Sequence, residues 1–292
     1  LPLGVMFGLL IGGWVNEFFG WRLTFAVVGL PGVLLAVIVW HTVKDLPQAS
    51  DRSASRSRQA QGGVGDVFRF LWLQRSFRWM ALAASVHTLV SYGINQWYPA
   101  FFMRSFGIST GELGTYLALV LGLFGGIGTY LGGYWGDRLG ARDPRWYLWL
   151  PLVATVIATP FYLGVFLASS MQQALLFMIA PTLLTSIYAG PVFAMAQGLV
   201  PASMRATAAA ILLFVCNIIG LGLGPQLVGV LSDLLRPAHD VDSLRYALLV
   251  VSALTLLGSA LFGYAARYLR RDLEHADEVD SGLVALDQVA VR

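Results

Sequence analysis

The chain has little of what builds a soluble domain. Charged side chains make up 12% of its 292 residues, about half the share usual in soluble domains. Hydrophobic residues make up 57%, and the mean hydropathy is +0.68. Such a chain cannot bury its apolar side chains and still cover its surface with polar ones, so the surplus needs lipid as solvent. Cysteine is almost missing. Cys216 is the single one and lies inside an apolar run, which excludes an internal disulfide and gives no cysteine-built metal site. Histidine is scarce, and His41 and His87 lie far along the chain from His239 and His275. No HExxH motif and no pair of acids inside an apolar run occurs, so the sequence does not favour a membrane-embedded enzyme. A phosphate-cradling GxxxxGK[ST] loop is also missing. Direct ATP coupling is therefore not expected, and no cofactor is implied. The net charge of +3 is small and gives no case for nucleic acid as a partner.

Long apolar runs, 32 glycines and nine tryptophans are present instead, a profile that membrane helices and their interfacial belts prefer. A bilayer core needs about 20 mostly apolar residues per helix. Eight stretches qualify: 1–19, 23–42, 79–102, 112–135, 147–168, 172–198, 205–231 and 244–268. They lack period-two alternation, and an open sheet edge cannot be satisfied in hydrocarbon. The expected fold is an all-α membrane bundle. Of the 19 basic residues, only Arg22, Arg104, Arg236 and Arg245 fall on one side of this arrangement. The other fifteen lie in 43–78, 136–146, the start of the seventh span and the C-terminal region. That asymmetry makes the richer side cytoplasmic, with both chain ends on it, in a multi-pass protein of the cell (inner) membrane.

The segment 43–78 contains "DLPQASDRSASRSRQAQGG" and reads as a flexible cytoplasmic linker. "VGDVFRFLWLQRSF" follows. It is read equally well as an interfacial helix or as a plain lead-in to the third span.

The first and seventh spans share a pattern. Gly4, Gly8, Gly13 and Glu17 recur as Gly220, Gly224, Gly229 and Asp233, each displaced by 216 residues. The repeat implies a unit of six helices, of which residues 1–42 are the last two of one unit and 79–268 all six of another. The chain opens on Leu1 within an apolar stretch, so four further helices are expected ahead of it. Residues 269–292 are expected to form a cytoplasmic tail.

Between two apolar spans stands a dense charge cluster, "GGYWGDRLGARDPRW" at 132–146. Its Gly133-x-x-x-Asp137-Arg138-x-Gly140-x-Arg142 pattern resembles the loop motif of the major facilitator superfamily. "GWRLTF", "WYPAFFMRSFG", "RDPRWYLWLP" and "MRATAAAILLFVCNIIGLGLGP" resemble its spinster-like branch, which includes lysophospholipid transporters and exporters of sphingosine-1-phosphate. The resemblance covers the chain to about residue 270. It implies a major facilitator-type helical bundle, monomeric when full length, working by alternating access between membrane lipids, with proton coupling. The loop would be a latch. Asp137 would face a neighbouring helix N-terminus, and Arg138 and Arg142 would pair with the adjoining half. Gly224 and Pro225 would let the seventh span bend.

Polar residues inside spans are expensive and usually face the bundle. His87, Ser91 and Asn95 are spaced by four, with Tyr98 three further on, so they share one helix face. With Ser186, Tyr188 and Asn217 they are the expected substrate-binding set, Asn217 as a bond across helices. A local ion pair would account for Glu17 and Arg22. An amphipathic lipid such as a lysophospholipid suits this set. A soluble organic anion or drug as substrate, and a fragment inactive in transport, are the alternatives.

Overall fold

A computed structural model describes residues 2–43 and 63–282. Most of the linker and of the C-terminal tail therefore lies outside the described residues. Among those described, all regular structure is helical. Helix α1 is Pro2–Phe19 and α2 is Trp21–Thr42. Gly20 between them has φ 79°, a left-handed conformation that suits glycine and lets the chain reverse in one residue.

Helix α3, Val64–Leu73, is short and separate. The Asp66 carboxylate accepts the Gly63 N–H at 2.7 Å, which caps its first turn. Val67, Phe70 and Leu71 turn inward, while Phe68 and Trp72 stack on the outer side. Helix α4, Arg75–Phe106, runs 32 residues to Gly107, whose φ of 66° ends it.

Three later passages are interrupted. Helices α5 (Thr110–Leu117) and α6 (Gly125–Gly140) flank a wide π turn at Ala118–Phe124. Helices α8 (Met171–Ser186) and α9 (Ala189–Gly198) part at Ile187 and Tyr188. Helices α10 (Arg205–Asn217) and α11 (Gly224–His239) flank a second π turn at Ile218–Leu223. Proline accounts for two of the breaks. Pro191 and Pro225 have no N–H for the carbonyls four residues earlier. Helix α7 is Trp146–Leu167 and α12 is Ser243–Asp280.

Six stretches of helix are long and apolar enough to cross a membrane. One of them, Ala202–Val279, spans α10 to α12. Helix α4 carries His87, Ser91, Asn95 and Gln96 and is not among the six.

Loop contacts collect at one end of the bundle. Gln74 Nε2 donates to the Leu199 carbonyl, the Asp272 carboxylate accepts the Ser76 N–H, both at 2.7 Å, and Arg270 meets Asp143 at 2.9 Å. We call this the loop end and the other the far end. Two apolar clusters fill the bundle. One holds Phe77, Met80, Leu148, Leu199, Met204 and Phe262 near the loop end. The other holds Ile94, Phe101, Phe102, Phe166, Met178 and Leu248 near the far end. Helices α1 and α2 bury no residue. Helix α1 lies along α5 and the first π turn, and α2 leans on α1.

Candidate functional site

Between the two apolar clusters lies a polar layer. His87 on α4 is 2% exposed. Its Nε2 is 3.0 Å from the Thr185 carbonyl; a carbonyl only accepts, so that nitrogen carries the proton. The imidazole packs on Tyr188, with ring centroids 4.1 Å apart. Thr88 Oγ1 donates toward the Ser85 and Cys216 carbonyls at 3.0 and 3.2 Å, which ties α4 to α10. Across the bundle the Thr159 and Thr255 hydroxyls meet at 3.0 Å. The layer sits where helices are interrupted. Thr185 closes α8 just before the break at Ile187–Tyr188, and Cys216 precedes the second π turn. Interrupted backbone within a membrane is tolerated where it is buried in protein, and His87 and Thr88 bring side-chain donors to carbonyls beside these breaks.

The predicted binding residues fall on both sides of this layer. Ser91 is half-buried and Asn95 is exposed, one and two turns along α4 from His87. Tyr98 departs from the stripe. It is 2% exposed and packs on Phe102 and Phe166 in the far-end core. Ser186 Oγ donates to the Thr182 carbonyl at 2.7 Å within its own helix. Asn217 is exposed and bonds down its own helix to the Leu213 carbonyl at 2.8 Å, not across helices. A residue pattern cannot reveal such back-bonding, because it depends on which rotamer the neighbours leave open. Sequence reasoning passed over Thr88, and it left Thr185, one of the polar residues of its span, out of the expected binding set. Thr185 had a signal in its place just before the α8–α9 break, whereas Thr88 lies inside the unbroken α4 and had none.

Gly224 and Pro225 open α11 at the π turn, and Trp97 Nε1 donates to the Pro225 carbonyl at 2.9 Å. Gly107-Ile-Ser109-Thr-Gly111 has the spacing of a hydrolase nucleophile turn, but Ser109 is the N-cap of α5 and accepts the Glu112 N–H. No histidine bonds to it among the described residues.

The charged loop differs in detail from its expected pairing. Asp137 reaches the first turn of α7 through the Tyr147 hydroxyl, which donates to it at 3.3 Å. Arg138 donates to the Tyr134 hydroxyl one turn back on its own helix at 3.2 Å, and Arg142 is exposed. Neither arginine pairs with a carboxylate among the described residues. Gly140 lets the Tyr147 ring lie against α6, whereas Gly133 faces open space.

The ion pair of the loop end is Asp143 with Arg270, bridged by two guanidinium N–H groups at 2.9 and 3.2 Å. The Arg145 N–H, and then the Arg270 guanidinium, hold the Asp143 carboxyl below its usual range. Its stabilising contribution is therefore fully present above the ordinary carboxylate pKa of about 4 and is lost as pH falls through the lowered value. Asp143→Asn should lower stability by up to about 1 kcal/mol at pH 7, as expected for a solvent-facing pair. Thermal melts at pH 7 and pH 3 check this: the difference between variant and parent should be full at the first and clearly smaller at the second.

The residues that carry the loop motif lie within a long match to a family model. Residues 1–225 match that of the Major Facilitator Superfamily. The chain belongs to the major facilitator superfamily. It is similar to an MFS-type efflux pump of Mycolicibacterium smegmatis, at 32% identity over 94% of this chain and 62% of that protein. It is also similar to a sphingosine-1-phosphate transporter of Xenopus tropicalis, at 25% identity over 96% of this chain and 58% of that protein. Among solved structures it resembles a bacterial homologue of the human lysosomal transporter Spinster, in an inward-facing and unoccupied conformation. The TM-score there is 0.73 at 25% identity, over 92% of this chain and 66% of that one. The chain thus spans about three-fifths of the length of these curated relatives.

In this superfamily member the helices pack through small residues, and one such contact forms a far-end seam. Trp14 Nε1 donates to Thr115 Oγ1 at 2.9 Å, and the Glu17 carboxylate accepts the Gly111 N–H at the start of α5. A Cβ on Gly13 would stand 2.9 Å from the Thr110 carbonyl and 3.0 Å from Gly114 Cα, so the two backbones touch. The expected Glu17–Arg22 pair is not made; Arg22 lies over the Trp21 ring at 4.6 Å. Next to the seam is a cavity of about 400 Å³, lined mostly by apolar groups, including Leu9, Phe25, Met103 and Leu117, with Asn16, Thr24 and Thr110 as polar exceptions.

Proposed function

We propose that the protein is a secondary active transporter that works by alternating access on an amphipathic lipid such as a lysophospholipid, with proton coupling. The observation that carries this reading is the mid-height polar layer beside interrupted helices, the arrangement in which transporters of this architecture hold substrate. Among the described residues the layer offers hydroxyls, a phenol and an imidazole, which suits a polar headgroup held by hydrogen bonds. The apolar cavity beside α1 and α2 suits an acyl tail. The sphingosine-1-phosphate transporter among the relatives and the spinster-like fold support a lipid substrate.

In this reading the chain crosses the inner membrane eight times with both ends cytoplasmic, and the protein acts as a monomer. Ser91, Asn95, Ser186, Tyr188 and Asn217 line the substrate path, and His87 holds Tyr188 in place. Tyr98 serves as support from the core. The loop, with Gly133, Asp137, Arg138, Gly140 and Arg142, and the break at Gly224 and Pro225 act as the gating elements.

Cysteine labelling tests the path. In a Cys216→Ala background, Ser91→Cys should react with a small polar thiol reagent, and lysophospholipid should slow the reaction. Leu82→Cys lies nine residues away, about 180° around the helix, and should show no protection. Equal behaviour at both positions would remove Ser91 from the path.

A further inference from the structure

Helices α4 and α12 form a groove in the loop-end half of the bundle, and its chemistry changes with depth. Tyr264, Arg267, Tyr268, Arg271 and Glu274 share one face of α12 at 100° per residue. Arg75, Trp79, Leu82 and Val86, spaced by four, three and four, share one face of α4. The two faces meet. The Arg75 guanidinium lies over the Tyr268 ring at 5.7 Å, and the Trp79 and Tyr264 rings meet edge to face at 4.8 Å. Deeper in, Val86 closes against Gly258, where a Cβ would stand 3.5 Å away. There the same stripes carry exposed Leu82 on α4 and exposed Ala253, Leu257 and Ala260 on α12. Helix α12 packs on α4, α7 and α11, whereas α1 and α2 meet the bundle along α5 and the first π turn. The groove lies apart from that seam.

The outer end of the groove holds charge without partners. Arg270 and Asp272 are engaged, with Asp143 and with the Ser76 N–H. Arg75, Arg267, Arg271 and Glu274 are exposed, and none is in an ion pair among the described residues. Arg267 lies over the Tyr264 ring at 5.6 Å. A guanidinium stacked on a ring keeps its N–H edge turned outward for an anion. The Tyr268 hydroxyl donates to that of Tyr264 at 3.1 Å, which leaves the Tyr264 hydrogen without an acceptor among the described residues. A cavity of about 260 Å³ opens between Gln74, Arg75 and this part of α12, lined also by Arg271, Glu274 and Glu278. Glu274 stands three residues beyond Arg271 toward the tip, about 4.5 Å along the axis.

We propose that this groove holds one resident phospholipid whose headgroup carries a protonated amine. Its phosphate lies on Arg75, Arg267, Arg271 and the Tyr264 hydroxyl, and its ammonium on Glu274. Its acyl chains follow Leu82 and Leu257. The order apolar, basic, acidic along the groove matches the order of such a lipid, and a two-carbon ethanolamine bridge spans about the distance from Arg271 to Glu274. A soluble phosphate compound would leave the apolar depth unused. A headgroup with only negative charge would meet Glu274 and Glu278. The ring of Trp79, Tyr264 and Tyr268 suits headgroup depth. The lipid is not the substrate, because Ser91 lies about 160° around α4 from Arg75. Bound in the groove, it ties the entry of α4 to α12. The inference is independent of the substrate proposed above.

Native mass spectrometry of the delipidated full-length protein tests it. Palmitoyl-oleoyl phosphatidylethanolamine, phosphatidylglycerol and phosphatidylcholine are offered at equal concentration. The parent should retain one phosphatidylethanolamine in preference to the other two. Arg267→Gln with Arg271→Gln should lower its retention roughly tenfold, as for the loss of one charge-assisted hydrogen bond. Glu274→Gln should erase the preference over phosphatidylcholine without lowering the retention of phosphatidylglycerol. Arg104→Gln, at the far end, should change nothing. All of these side chains are exposed, so the variants should fold. Equal retention by the parent and the double arginine variant overturns the site. A parent that prefers phosphatidylglycerol, or an unchanged preference in Glu274→Gln, overturns the amine. Displacement of the lipid by an equal concentration of glycerophosphoethanolamine, which has no acyl chains, also overturns the proposal. If the preference holds while lysophospholipid fails to protect Ser91→Cys, the resident lipid stands and the substrate reading falls.

Discussion

Gly132→Ala should leave little folded protein. Gly128, Gly132 and Gly136 belong to the buried stripe of α6, and α8 and α9 lie on them. A Cβ on Gly132 would run into the Ile187 carbonyl, the backbone group whose ordinary partner is missing at Pro191. Backbone cannot rotate out of the way as a side chain can, so α6 would have to move off the helix break. The expected cost is about 3 kcal/mol or more, at the upper end for overpacking. Gly133→Ala is the control. Its Cβ would enter open space, and replacing a helical glycine should be neutral or gain up to about 1 kcal/mol. Thermal melts in detergent with monitoring of folded yield decide the matter; equal melting of the two variants would show that the stripe does not set the spacing of these helices.

Glu17→Ala should shift the far end toward its open arrangement. The variant strips the first turn of α5 of its carboxylate cap, a loss of about 1 kcal/mol. Adding Trp14→Phe removes the indole bond to Thr115. The pair of changes should make a cysteine at Thr110, half-buried at the seam, react roughly tenfold faster with an impermeant thiol reagent, because each 1.4 kcal/mol is a factor of ten. Glu112→Gln, on the same turn but exposed, should leave the rate near that of the parent. If the parent and the double variant react alike, the seam does not hold the far end closed.

The family was legible in the sequence because its signals are local. Apolar runs mark the helices, and the charged loop falls within one connection. The helix bounds differ from the apolar runs mainly because helices continue beyond hydrocarbon, as α4 does at both ends and α12 does past residue 268. Side-chain partners were much less legible. Asp143 stands in the same charged loop as Asp137, and no spacing rule tells which of them meets Arg270, 127 residues away. Glu17 was paired with Arg22 on proximity along the chain, yet the nearer donor in space is a backbone N–H of α5. Tyr98 continues the His87 stripe by count, but the surrounding Phe102 and Phe166 take it into the core. The glycine stripe of α6 has a plain four-residue spacing, but spacing alone does not say which neighbouring helix it meets.

Helix α12 has a mechanical consequence. It is unbroken over 38 residues, about 57 Å at 1.5 Å per residue, whereas its α10–α11 neighbour bends at a π turn. Its outer portion is gripped twice, by Asp143 on Arg270 and by the Ser76 N–H on Asp272. A rigid rod pivoting at mid-height by about 5° would move residues 270 and 272 by roughly 1 Å at 1.5 Å of rise per residue, enough to stretch a hydrogen-bonded pair. Helix α12 is thus a lever arm. Its tilt is converted into strain at the entry to α4 and at the charged loop together, so those two places should loosen or tighten in step.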